Sequence, residues 1–163
     1  MGGTLSAAGT LRVGDDASKK QYRSILYFNT STLPDNAVIR SVKLKIYKTG
    51  AVGSDPLTSG ALGSLLADIK KGTFGTAALQ ATDFQATASA GAIGHFTSIG
   101  GGWYQLVIPA SDYTYVNLTG VTQFRLRFTS TSNNNNAANY DMFDAGEAAS
   151  AFRPVLSVEY SLP

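Results

Sequence analysis

Val38-Ile-Arg-Ser-Val-Lys-Leu-Lys-Ile-Tyr47 is the stretch that decides the fold. Val42, Leu44 and Ile46 fall on one side of an extended chain, and Ser41, Lys43, Lys45 and Tyr47 on the other. A side-chain period of two is the signature of a strand with one face on a core and one in water, the habit of antiparallel sheets. Phe124, Leu126 and Phe128 repeat the pattern with Arg125 and Arg127 outward, and Leu156, Val158 and Tyr160 repeat it with Ser157 and Glu159 outward. Tyr22 to Phe28 is apolar on both sides and reads as a central strand covered on both faces. Further strands are expected near residues 9–14, 64–70, 93–98, 103–108 and 140–144.

Turn chemistry separates these runs. In Leu33-Pro-Asp-Asn36 the proline presets φ, while Asp and Asn bond their own backbone. The polar run Ser130-Thr-Ser-Asn-Asn-Asn-Asn-Ala-Ala-Asn139 suits an exposed loop, because Asn tolerates left-handed backbone. The expected architecture is all-β: an antiparallel β-sandwich of jelly-roll type with about nine strands. One or two short helical turns are expected, at residues 76–83 and 111–116, where Ala, Leu and Gln or a Ser-Asp start favour a turn of helix.

The chain has 163 residues and is read as one module, 1–163, excised from a larger secreted or cell-surface protein, with residues 1–3 added for expression. Charged residues make up 15%, below the usual quarter or so, so the surface is polar through Ser, Thr, Asn and Gly. A net charge of +2 is too small and dispersed for nucleic acid. No apolar run approaches the length of a membrane span. Absence of cysteine excludes disulfides and thiolate metal sites, and with the Ser/Thr/Asn-rich composition it fits a prokaryotic surface protein. A monomer is expected for the isolated module.

Catalytic chemistry finds little support. His95 is the only histidine, and no nucleophile elbow, phosphate loop or zinc-ligand set accompanies it. The chain is therefore expected not to be an enzyme. Two other chemistries have candidates. Asp141, Asp144 and Glu147 form an acidic cluster whose hard oxygens suit one structural calcium ion, although the spacing is not that of an EF-hand. Sugar rings stack on aromatic faces while short polar groups bond the hydroxyls. Trp103, Tyr140 and Phe143, with Asn135 of the asparagine run, are the candidate ligand contacts. Trp103 is expected to face out, because Tyr104, Leu106 and Ile108 form the apolar set of their strand.

Residues Tyr22–Tyr47, the Leu66-Ala-Asp-Ile-Lys-Lys-Gly-Thr-Phe-Gly75 segment, Leu79-Gln-Ala-Thr-Asp-Phe-Gln-Ala86 and the closing Arg153-Pro-Val-Leu-Ser-Val-Glu-Tyr160 carry a resemblance. In that order, across most of the chain, they resemble the DNRLRE family of extracellular β-sandwich modules, which overlaps with family 96 carbohydrate-binding modules. Asn29 departs from the Asp common after the Tyr-Phe strand. The resemblance implies a jelly roll on a secreted or wall-attached prokaryotic protein, and a polysaccharide or cell-surface component as partner. A spacer or adhesion domain without a small ligand is the alternative. Its variant, an amide between a buried Lys and an Asn, finds no support in Lys43 and Lys45, which alternate outward.

Overall fold

The computed structural model describes residues 9–163. Ten strands follow in chain order: β1 (Thr10–Asp15), β2 (Gln21–Tyr22), β3 (Ser24–Asn29), β4 (Val38–Val52), β5 (Leu65–Lys71), β6 (Thr97–Gly100), β7 (Trp103–Val107), β8 (Val121–Phe128), β9 (Asn139–Asp144) and β10 (Val155–Ser161). Helix α1 (Pro56–Ser59) follows β4, and 3-10 turns occupy Ala81–Phe84 and Ala110–Tyr115. The second turn falls on the segment expected to be helical at 111–116, whereas the first overlaps the expected 76–83 only at residues 81–83. Helix α1 was not expected, although its signals are local: Asp55 caps it, proline opens it, and Gly60 closes it at φ 68°.

A seven-stranded sheet runs β2-β1-β9-β4-β7-β6, with β10 also on β4, and a three-stranded sheet runs β3-β8-β5. Every strand pairing is antiparallel. The chain passes from one sheet to the other at most connections, as a jelly roll does. The long strand β4 organises the larger sheet. It pairs with β10 over residues 38–45, with β7 over 43–47 and with β9 from Lys48 to Val52.

Between the sheets lie Val42, Leu44 and Ile46 of β4, Ala67 and Ile69 of β5, Leu106 of β7, Phe124, Leu126 and Phe128 of β8, and Phe143 of β9. The alternations of β4, β7 and β8 set Val42, Leu44, Ile46, Leu106, Phe124, Leu126 and Phe128 inward as their period of two requires, and Phe143 joins them although its exposure to a ligand was expected.

Three readings are corrected. The strand at 24–29 is an edge of the small sheet, pairing only with β8, and Tyr27 on it is exposed. The strand covered on both faces is β8, whose outward Arg125 is buried. Tyr160 does not continue the inward set of Leu156 and Val158. A register shift between Glu159 and Tyr160 interrupts the alternation and leaves Tyr160 exposed.

Candidate functional site

The small sheet offers no open face at its centre. Asp68 of β5 faces away from the core and is itself buried. Arg125 donates Nε and Nη2 to its Oδ2 at 3.1 and 2.9 Å, and Arg127 donates Nη2 to Oδ1 at 3.1 Å. The segment between β5 and β6 lies over this cluster. Arg125 Nη1 donates to the carbonyls of Asp83 and Ala86, and Ala92 N–H donates to Asp68 Oδ1 at 2.9 Å. Phe74 packs beneath the Arg125 guanidinium at 4.5 Å. Burial alone pushes the Asp68 carboxyl up, but donation from Arg127, Ala92 N–H and Arg125 outweighs it, and the carboxyl sits below its ordinary range. Loss of hydration and the charges of Arg125 and Arg127 lower the neighbouring Arg23. Arg23, Asp68 and Arg125 each bond the covering segment, and Arg127 bonds Asp68 beneath it.

The outer face of the large sheet is different. Ser41, Lys43, Lys45 and Tyr47 of β4 and Trp103, Gln105 and Val107 of β7 face outward, and the register sets Tyr47 directly opposite Trp103. Their rings meet edge to face at 5.3 Å, and Phe152, from the turn before β10, tilts onto Tyr47 at 4.5 Å. Such contacts fix the rings without hiding them. Trp103 and Tyr47 are half-buried and Phe152 is exposed. Lys45 Nζ lies 5.6 Å from the Trp103 ring centre. The next row across the strands, Thr97, Gln105, Lys45 and Val155, supplies hydrogen-bonding groups at the edge of the aromatic patch.

A second aromatic pair lies on the same face. Tyr140 of β9 meets Tyr22 of β2 edge to face at 5.2 Å, with the Arg12 guanidinium 5.5 Å from the Tyr140 ring. Val52 of β4 pairs with Tyr140. Across the irregularity between Lys48 and Gly50, about four ladder positions separate Val52 from Tyr47, or roughly 13 Å along the sheet at about 3.3 Å per residue. Two aromatic surfaces that far apart on one open face suit an extended chain better than a single ring.

The residues singled out in the sequence are dispersed. Trp103 and Tyr140 face outward on the large sheet, one in each aromatic group. Asn135 is exposed in the loop before β9, and its Oδ1 accepts from Ala137 N–H and Asn139 Nδ2 at 2.9 and 3.0 Å. Phe143 is corrected: it is 0% exposed, sits in the core and meets Tyr104 edge to face, so it touches no ligand. Asp141 faces inward beside it. Asp144, three positions on, falls on the opposite side of β9, and Glu147 is exposed in the following turn. Odd spacing along a strand separates Asp141 from Asp144, and no three His, Cys, Asp or Glu gather around a metal-sized space among the described residues. Oxygen capacity remains instead at Asp15 Oδ1, buried without a hydrogen-bond partner beside the asparagine loop. Tyr47 and Phe152 were missed. Tyr47 carried a signal, its outward parity opposite an outward Trp, whereas nothing local marks Phe152 in its turn.

Asp141 belongs to another cluster. Lys48 Nζ lies 2.7 Å from Asp141 Oδ1 and 2.5 Å from Asp55 Oδ2. Burial pushes the Asp141 carboxyl up to about 6, against the attraction of Lys48. Burial also opposes charge on Lys48 and Asp55. Hydrogen bonds to Asp141 and Asp55 raise Lys48 all the same, and donation from Lys48 and Thr58 N–H lowers Asp55.

A recess of about 420 Å³ lies against the 3-10 turn at Ala110–Tyr115, lined in part by Asp35, Lys71, Tyr113 and Asn117. Tyr113 Oη donates to the Arg40 carbonyl and Lys71 Nζ to the Thr114 carbonyl, so its main polar groups already bind the protein. No protein-family model matches the chain, and no curated protein matches it.

Proposed function

We infer that the chain is a non-catalytic carbohydrate-binding module that holds a polysaccharide against the open face of its large sheet. The observation that carries this reading is the Tyr47–Trp103–Phe152 patch, three aromatic rings arrayed on a solvent-facing sheet with Lys45, Gln105 and Thr97 alongside. Sugar rings present apolar C–H faces that stack on such rings, while amide, hydroxyl and ammonium groups bond their hydroxyls. Tyr22 and Tyr140 extend the surface in the direction a polymer would run. The resemblance to extracellular DNRLRE modules favours the same reading and a place on a secreted or cell-surface prokaryotic protein.

Glycan-array binding and affinity electrophoresis on immobilised polysaccharides test the inference. A retained polysaccharide is expected, with Trp103→Ala or Tyr47→Ala weakening it by about tenfold or more, as loss of a central aromatic anchor does. Tyr140→Ala is expected to weaken long chains and spare short oligosaccharides. A folded domain that binds nothing on the array would sink the reading and favour a spacer or adhesion domain, in which the aromatic patch only seats the turn carrying Phe152.

A further inference from the structure

Lys48 continues the inward series of Val42, Leu44 and Ile46, so a lysine stands where β4 otherwise places core residues. Its side chain is 12% exposed, and Asp141, facing it from β9, is 0% exposed. The two carboxylates around it divide their oxygens in the same way. Asp55 uses Oδ1 to accept Leu57 and Thr58 N–H at 3.0 and 3.2 Å, and Asp141 uses Oδ2 to accept Leu57 N–H at 3.2 Å. Each turns its remaining oxygen to Lys48 Nζ. Among the described residues Lys48 is the only cation paired with either acid. One cation between two carboxylates leaves an excess negative charge in a poorly hydrated place, and holding a proton on the more buried acid relieves it.

We propose that Lys48 and Asp141 condense into an intramolecular amide that ties β4 to β9, with Asp55 as the proton carrier. Nζ at 2.7 Å from Oδ1 is about one carbon–oxygen bond short of Cγ, close to the roughly 3–3.5 Å of a near-attack arrangement. Asp55, the more exposed acid, accepts the Lys48 proton across their 2.5 Å contact in the small fraction of the pair that is neutral, since the ion pair itself holds that proton on Lys48. The freed amine lone pair attacks Cγ of the neutral Asp141 carboxylic acid, the C–N bond forms, and the C=O π pair moves to oxygen. The tetrahedral carbon then expels its hydroxyl as the C–O bond breaks. That hydroxyl leaves as water with a proton from nitrogen, and Asp55 releases the proton it took to solvent. No oxidant or further reactant enters. Amide condensation opposes bulk water, and effective molarities of about 10⁵–10⁸ M for well-placed intramolecular groups offset that opposition. The charge count also assigns the roles: an amine attacks a neutral acid and not a carboxylate, and Asp141 is the acid whose neutral form burial favours, with its carboxyl raised to about 6.

The test is intact-mass spectrometry of the folded chain, as purified and after incubation near pH 6. The expected result is a population lighter than the sequence mass by one water, growing with time near pH 6. Tandem spectrometry should find the Lys48 and Asp141 peptides joined. Lys48→Arg keeps the charge and should restore the full mass. A full sequence mass for the folded native chain in both samples overturns the proposal. So does a link from Lys48 to Asp55, or a water loss that survives Lys48→Arg and is cleaved by hydroxylamine, the mark of a succinimide. The outcome is independent of carbohydrate binding.

Discussion

Single residues show where side-chain parity was sufficient and where it was not. The alternation of β8 sets Arg125 and Arg127 away from the core, and there they lie. Their destination was not legible, because the carbonyls that cover Arg125, those of Asp83 and Ala86, stand 42 and 39 positions before it in the chain. Asp68 is the residue whose removal exposes this design. Asp68→Asn leaves Arg125 buried without its carboxylate, and a cost of about 3–5 kcal/mol is expected, read by denaturant titration at pH 7. The pH dependence follows from the direction of its shift. Asp68 sits below its unfolded value, so its contribution is present above the unfolded pKa near 4 and is lost as pH falls through the lower folded value. The native chain should lose stability with acid over that window, and Asp68→Asn should show a flatter acid limb. Equal slopes would mean that Asp68 stays paired in the unfolded chain or is not held as described. Lys48 and Asp141 illustrate the same limit. Extending the alternation past Tyr47 places Lys48 inward, and counting back from Phe143 places Asp141 inward. Only the pairing of β4 with β9 shows that they meet.

At the scale of elements, the strongly alternating runs were legible and the short or bent ones were not. Strands β1, β4, β5, β7, β8, β9 and β10 lie where their patterns put them. Strand β2 has two residues and no pattern to read. It exists because the turn after Asp15 returns the chain, with Asp16 Oδ1 accepting Ser18 and Lys20 N–H. Glycine positions give a graded test of this layer. Gly14 in β1 has φ 145°, and a Cβ there would sit 2.2 Å from the Asn139 carbonyl oxygen. Gly14→Ala is expected to cost more than the roughly 1–3 kcal/mol of backbone strain alone, because the β1–β9 ladder must also part. Gly60, at φ 68° with nothing within 4 Å, carries only the conformational penalty, and Gly60→Ala should cost about 1 kcal/mol. Thermal melts of the two variants separate the cases. Similar losses would show that β1 gives way without resistance.

For the whole molecule, connectivity predicts kinetics. Strands β1 and β9, and β4 and β10, pair across most of the chain's length. Such non-local closure places folding in roughly the millisecond-to-second range, to be measured by stopped-flow fluorescence of Trp103. Phe124, fully buried on the central strand of the small sheet, belongs to the shared core. Phe124→Ala should cost about 3–5 kcal/mol and lower a single unfolding transition, whereas two separated transitions would mean that the sheets melt independently. The sequence by itself determined the all-β class, the inward setting of Val42, Leu44, Ile46, Phe124, Leu126 and Phe128 and the outward setting of Trp103, because a strand's period of two is written in consecutive residues. Only the tertiary structure decided which sheet face stays open, which aromatics share it, and that Asp141 meets Lys48 and not a cluster with Asp144 and Glu147. Those are relations between strands far apart in sequence, and they depend on register, on bulges and on a covering loop that no local pattern records.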